Sequence, residues 1–317
     1  MSILSKAYFH DEAAAFAKLE EIIWPNGPVC PKCGHDGKIY TLKGVRSKPS
    51  KKNPEGIERH GLKKCGKCRK QFTARVGTVF ESSHIPLHKW FQAVHLLCSS
   101  KKGISSHQIH RILEITYKSA WFMTHRIREA MRSGDLTPMG GVGGIVEVDE
   151  TFIGHDKTKK PKGEKKGRGY HHKYKVLTLV DRETGQARSI VLDDLKASTI
   201  APIVRENLAN EGRLMTDEAS YYKQVGKEFA DHQIVRHNQG EYGRGEYHTN
   251  TIEGFFSIFK RGMKGTYQHC SEKHLHRYVA EFDFRYNYRV QLGVDDQTRC
   301  ENVIRGITGR RLTYEGS

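Results

Sequence analysis

Three carboxylates and four thiols are the side chains in this 317-residue sequence whose types and spacing could do chemistry. Asp149 lies in Ile145-Val-Glu-Val-Asp-Glu-Thr-Phe-Ile153, an alternating run that reads as a strand and puts Asp149 on one face with Glu147 and Thr151. Asp217 ends a short apolar run that starts at Arg213. Glu253 falls in His248-Thr-Asn-Thr-Ile-Glu-Gly-Phe-Phe-Ser-Ile-Phe-Lys-Arg261, which reads as a helix with Thr249 as its cap. On that helix Asn250 and Glu253 share a face, and Lys260 follows two turns beyond Glu253. Carboxylates are oxygen donors and suit hard divalent ions such as Mg2+ or Mn2+. Two such ions roughly 3.5–4 Å apart can drive phosphodiester cleavage by water, or attack by a DNA 3′-hydroxyl. Asp149 would bridge the ions, with Asp217 on one and Glu253 or Asn250 on the other. Taken singly, each acid is what strand ends and solvated helices commonly carry. Their order along these elements is what points to a site.

The thiols read differently. Cys30-Pro-Lys-Cys33 and Cys65-Gly-Lys-Cys68 each have the two-residue gap that lets a tight turn present two sulfurs to one ion. Two such turns make a closed four-sulfur Zn2+ site, structural rather than catalytic. A thioredoxin-like pair would use one such motif at a helix start, so zinc is favoured. Residues Leu42 to Leu62, between the pairs, read as an extended hairpin arm with basic Lys43, Arg46, Lys48, Lys51 and Lys52. Cys98, Cys270 and Cys300 read as ordinary thiols, because an odd cysteine count without an export signal argues against a disulfide framework.

Other elements must hold these groups in place. Pro86 to Met131 reads as three helices. The first carries Leu87, Trp90, Phe91, Val94, Leu97 and Cys98 at helical spacing. After a break at Gly103, Ser105 or Ser106 caps the second, which runs through Ile109 and Leu113. The third spans Thr116 to Arg132 with Tyr117, Lys118, Trp121, His125, Arg126 and Arg128. Three short helices, the last basic and aromatic, resemble a DNA-reading helix-turn-helix, with a plain helical linker as the alternative.

Beyond the glycine-rich break at Gly140 to Gly144, strands are expected at Ile145–Ile153, Tyr174–Asp181, Ala187–Asp193, Arg213–Asp217 and Gln233–Arg236, with a helix at Ser198–Ala209. A basic loop holding Lys157, Lys159, Lys160, Lys162, Lys165, Lys166 and Arg168 follows the first strand. That element order is the order of an RNase H-like domain with a mixed sheet. The fold class is thus mixed α/β, in four parts: a zinc ribbon with a short N-terminal helix (1–84), a helix-turn-helix-like segment (85–139), an RNase H-like catalytic domain (140–292) and a C-terminal tail (293–317).

The charge fits a polyanionic partner. Lysine and arginine total 53 against 36 acids, a net of +17, and each phosphate neutralised releases a counterion. Charge alone leaves an anionic membrane surface open. No apolar run reaches the roughly 18 residues a membrane span needs, and the first residues lack a signal-peptide core. The expectation is a cytoplasmic, nucleoid-associated bacterial protein.

Several runs also resemble a known family. They are Glu147-Val-Asp-Glu-Thr-Phe-Ile-Gly154, Thr216-Asp-Glu-Ala-Ser-Tyr221, His248-Thr-Asn-Thr-Ile-Glu-Gly-Phe-Phe256 through Lys260-Arg-Gly262, and His274-Leu-His-Arg-Tyr278 with Glu281-Phe-Asp-Phe-Arg-Tyr-Asn-Tyr-Arg289. These are similar to insertion-sequence transposases of the fifteen-ninety-five group, the ISXO-like subgroup. Phe72-Thr-Ala-Arg-Val-Gly-Thr-Val-Phe80, after the second cysteine pair, resembles the same group. The similarity runs from about Phe16 to Arg289.

The resemblance implies an RNase H-like DDE domain, magnesium dependence and binding to terminal inverted repeats. It assigns the first two acids to Asp149 and Asp217. The group varies between glutamate and asparagine in the third role. Glu253 is favoured here because Lys260 falls seven residues later, with Asn250 as a second contact. The class also implies a homodimer or larger on DNA. The functional expectation is metal-dependent hydrolysis and strand transfer at element ends. The alternatives are a zinc-ribbon DNA-binding regulator and a structure-selective nuclease on the same fold.

Overall fold

The computed structural model describes residues 2–51, 53–134, 137–155, 172–236 and 245–313. Lys52 and the basic loop from Lys157 to Arg168 lie outside the described residues. The chain divides into two compact units. One holds residues 1–100, 104–131 and 295–317; the other holds 101–103 and 132–294.

In the first unit, α1 (Glu12–Ile23) starts at Asp11, whose carboxylate accepts the Ala14 N–H at 2.7 Å. That bond satisfies one of the donors a helix start leaves open. A small antiparallel sheet follows, with β1 (Ile39–Thr41), β2 (Lys63–Cys65) and β3 (Gln71–Phe72) in that order. Between β1 and β2 the expected arm forms a ladder: Leu42 N–H donates to Leu62 O, Ser47 to Ile57 and Arg59 to Val45. Lys43, Arg46, Lys48 and Lys51 are exposed along it.

Three helices complete this unit's middle segment: α2 (Leu87–Ser99), α3 (Ser106–Leu113) and α4 (Tyr117–Met131). Ser105 caps α3 in a full capping box with Gln108. Most basic residues of α4 are turned inward. His125, Arg126 and Arg128 are buried, and Arg126 donates to the carbonyls of Leu312 and Glu81. These side chains fall on the face of α4 that packs inward, where charge is tolerated only with partners. The exposed positions of the helix pair are His107, Gln108, Arg111 and Ile112 on α3 and Tyr117 and Lys118 at the start of α4. The last helix, α9 (Asp296–Arg305), packs on α1 and α2: Arg299 donates to Cys98 O at 2.9 Å, and Lys18 pairs with Glu301 at 3.1 Å.

The second unit is built on five strands: β4 (Ile145–Ile153), β5 (Tyr174–Asp181), β6 (Ala187–Leu192), β7 (Arg213–Thr216) and β8 (Asp231–Ile234). Their order is β6-β5-β4-β7-β8. The β4–β5 and β5–β6 pairs are antiparallel; β4–β7 and β7–β8 are parallel. This is the RNase H-like arrangement read from the sequence.

The last strand sits two residues earlier than Gln233–Arg236, because its parallel ladder begins with Arg213 opposite Asp231. Apolar alternation did not mark the polar Asp231 and His232 as strand residues. Strand alternation gives the sheet two apolar faces. Val146, Val148, Leu177 and Leu179 pack on the side of α5 (Ala197–Asn207) and α6 (Tyr222–Val225). Ile153, Val176 and Val180 pack on the side of α7 (Asn250–Gly262) and α8 (Glu272–Asn287). Ile252, Phe255, Phe256 and Phe259, which recur at helical spacing, are the buried stripe of α7.

Candidate active site

The four cysteines converge. Their sulfurs all lie within 4.8 Å of one another, with Cys30 Sγ 3.7 Å from Cys68 Sγ and Cys33 Sγ 3.8 Å from Cys65 Sγ. Four Zn–S bonds of about 2.3 Å in a tetrahedron put the sulfurs about 3.8 Å apart, so the cluster has the donors and dimensions of a structural zinc site. Local backbone makes this possible. Gly66, inside the second pair, donates to Lys38 O, and a Cβ there would stand 2.6 Å from that oxygen. The turn after each pair also requires positive φ, met by Gly34 (69°) and Arg69 (62°).

The acids gather in the second unit. Parallel pairing sets Glu147 of β4 opposite Met215 of β7. Two residues farther along each chain stand Asp149 and Asp217. Both are half-buried. Burial, with the charges of Glu150 and Asp217, holds the Asp149 carboxyl well above the ordinary carboxylate range, and Glu253 adds to it. Glu253 projects from the first turn of α7, where Thr249 Oγ1 donates to its carboxylate at 3.3 Å. Lys260 lies within electrostatic reach of Asp149 and Glu253. Burial lowers its ammonium pKa, against the pull of those carboxylates. Asn250 starts α7 with an exposed side chain, and its backbone N–H faces His248 Nδ1 at 3.4 Å. Among the described residues the carboxylates do not close to the spacing of the sulfurs.

One buried carboxylate joins this arrangement from beneath. Glu147, on the Asp149 face of β4, is 0% exposed. It accepts Arg182 Nε at 2.6 Å and the Ile252 N–H of α7 at 2.8 Å. Arg182 then donates to the carbonyls of Glu246 and His248, each at 2.6 Å. The start of α7 is therefore fastened to the strand that carries Asp149. Thr249 occupies the cap position but makes no side-chain cap bond, and Glu147 supplies that acceptor from across the fold.

Residues 141–287 match the family model of the ISXO2-like transposase domain, and residues 10–71 match that of the transposase zinc-ribbon domain, both of the IS1595 group. The chain belongs to the IS1595 transposase family. A relative named "Uncharacterized protein in transposable element ISH50", from Halobacterium salinarum (strain ATCC 700922 / JCM 11081 / NRC-1), is 26% identical over 294 residues. The match covers 87% of this chain and 91% of the relative. Among solved structures, a chain of the simian T-cell lymphotropic virus intasome in complex with PP2A regulatory subunit B56 gamma matches at 12% identity and TM-score 0.29. That match covers 62% of this chain and 65% of that one, an overlap too low to bear on the fold.

The zinc-ribbon match spans all four cysteines, and the transposase-domain match spans Asp149, Asp217, Asn250, Glu253 and Lys260. Within the transposase domain, two groups escaped the sequence reading. Glu147 was placed on the Asp149 face, yet nothing local marks it as paired with Arg182, 35 residues away. In the sequence Glu150 is one more residue of the strand. Its carboxylate accepts from the hydroxyls of both Tyr221 and Tyr222, the first at 2.7 Å. Burial, against those two hydrogen bonds, raises the Glu150 pKa to about 7. The available signal was the charged pair Asp149-Glu150, since neighbours on a strand face opposite sides and both must find partners. No described helix of this transposase is long and apolar enough to cross a membrane.

Proposed function

We propose that this transposase hydrolyses phosphodiester bonds at the terminal inverted repeats of its element and joins the freed ends to target DNA. The observation that carries this is the β4–β7 register, which brings Asp149 level with Asp217 while α7 holds Glu253 within electrostatic reach of Asp149. A raised carboxyl flanked by further acids is a site whose negative charge is unbalanced. Its oxygen donors suit a hard divalent cation, so the residues fit Mg2+ or Mn2+. In this reading Asp149, Asp217 and Glu253 are the ligands and Asn250 is a second contact. Bound cations would activate the attacking hydroxyl and offset charge on the leaving oxygen.

The chain's own residues do the rest. Glu147 and Arg182 fix the approach of α7 to β4. Glu150, held by two tyrosine hydroxyls, ties β4 to the start of α6. Lys260 stands where it can neutralise a phosphate oxygen. DNA is the partner, engaged by the basic arm and by the exposed turn of α3 and α4. A homodimer or larger assembly would pair two element ends.

The test is a strand-transfer assay on end-containing DNA with the metal varied. Activity should require Mg2+ or Mn2+ and disappear in both Asp149→Ala and Asp217→Ala. Full activity in either variant would sink the proposal. Cleavage without end preference would instead mark a structure-selective nuclease, and DNA binding without cleavage a regulator.

A further inference from the structure

A cavity of about 330 Å³ opens in the second unit at the end of β4, the strand that carries Asp149. Its volume falls in the roughly 300–1,000 Å³ range of pockets that enclose a ligand. The end of β4 and the start of β5 form one wall, with half-buried Phe152 and Tyr174. The α7–α8 connection forms the other, with Lys264 and Gln268, and Lys173 completes a cationic rim.

The connection is irregular in two ways. Met263–Tyr267 is a π-helical turn, and Gln268 adopts φ 56°, ψ −55°. Single π-turns and left-handed non-glycine residues both carry a conformational cost and gather at functional sites. Lys173 and Lys264 both act electrostatically on Lys260, which also feels Asp149 and Glu253, so the rim continues into the acidic site. Along β4, Asp149 and Ile153 are separated by roughly 13 Å, a span a neighbouring nucleotide can cover.

We propose that this cavity takes an unpaired nucleobase of the DNA strand beside the cleaved bond, stacked on Tyr174, with its phosphate on Lys173 and Lys264. The identification rests on the strand-cleavage reading above. Aromatic rings accept any base face, lysines take the backbone, and the Gln268 amide can meet a base edge. A pocket for phosphate alone would have no use for the Tyr174 ring, which shares its sheet face with Ile153. Extracting a base would also hold the strand in register at the acids.

The experiment uses the full chain with a single-stranded oligodeoxynucleotide carrying 5-iododeoxyuridine, in Ca2+ to keep the DNA uncut, and maps the photo-crosslink. The crosslink should fall on Tyr174. Thymidine 5′-monophosphate should compete it, and deoxyribose 5-phosphate should not. Tyr174→Leu and the exposed-site variant Lys264→Ala should each lower it by about fivefold or more. Lys264 lies on an exposed connection, so its variant remains informative if Tyr174→Leu does not fold. Crosslinks mapping elsewhere, or equal competition by deoxyribose 5-phosphate, overturn the base site. Crosslinking needs no turnover. An inactive wild type that crosslinks at Tyr174 would count against the cleavage reading alone, and active protein crosslinked elsewhere would count against this proposal alone.

Discussion

Glu253 and Asn250 stand three residues apart on α7, both exposed, and their charge separates their roles. Glu253 acts on Asp149 electrostatically, whereas the Asn250 amide is neutral. In a metal-dependent cleavage assay, Glu253→Gln should abolish turnover and Asn250→Ala should weaken it; the reverse ranking would move the third ligand to Asn250. Glu147 invites a different test. Glu147→Gln keeps an acceptor for the Ile252 N–H but removes the charge opposite Arg182. Groups that orient metal ligands typically contribute 10–100-fold to activity or metal affinity, and a loss of about that size is expected. Glu147→Ala should also destabilise the domain by about 3–5 kcal/mol, because the Arg182 charge loses its buried partner. Thermal unfolding of the two variants separates those effects.

At the scale of elements, the packing of α8 on β6 supplies a pH test. Asp283 accepts from the Ser189 N–H at 2.8 Å and hydroxyl at 2.7 Å, and burial pushes its pKa up to about 7. A carboxyl raised in the folded state holds its proton there more tightly than in the unfolded chain. Its contribution to stability is complete below the ordinary value of 3.8 and is lost as pH rises through about 7. Denaturant midpoints should therefore fall between those pH values, and Asp283→Asn should flatten the fall. The zinc ribbon offers the second element-scale prediction. Its sheet has three strands of two or three residues each, too little to fold alone. A chelator, or Cys65→Ser, should unfold the ribbon and arm, seen as rapid amide exchange over residues 30–72. Protection that survives metal removal would contradict a structural zinc.

Across the whole molecule, the +17 net charge predicts salt-sensitive DNA affinity. Replacing Lys43, Arg46, Lys48 and Lys51 together by alanine should flatten the plot of log K against log salt by about 0.9 for each phosphate that the arm no longer neutralises. An unchanged slope would remove the arm from the DNA interface.

Much of this molecule was legible from the chain alone. The two cysteine pairs, the bounds of β4 and β5 and the buried stripe of α7 all follow from short-range spacing. A tight turn, a two-residue pleat and a 3.6-residue helix each leave a periodic mark in the chain. Tertiary structure decided the rest. It turned His125, Arg126 and Arg128 of α4 inward, joined α9 to α1 and α2, began β8 at Asp231, and tied Glu147 to Arg182 and Ile252. These outcomes depend on partners tens to hundreds of residues away. A charged side chain looks the same in sequence whether water or a distant carbonyl satisfies it, and only the packed fold chooses between them.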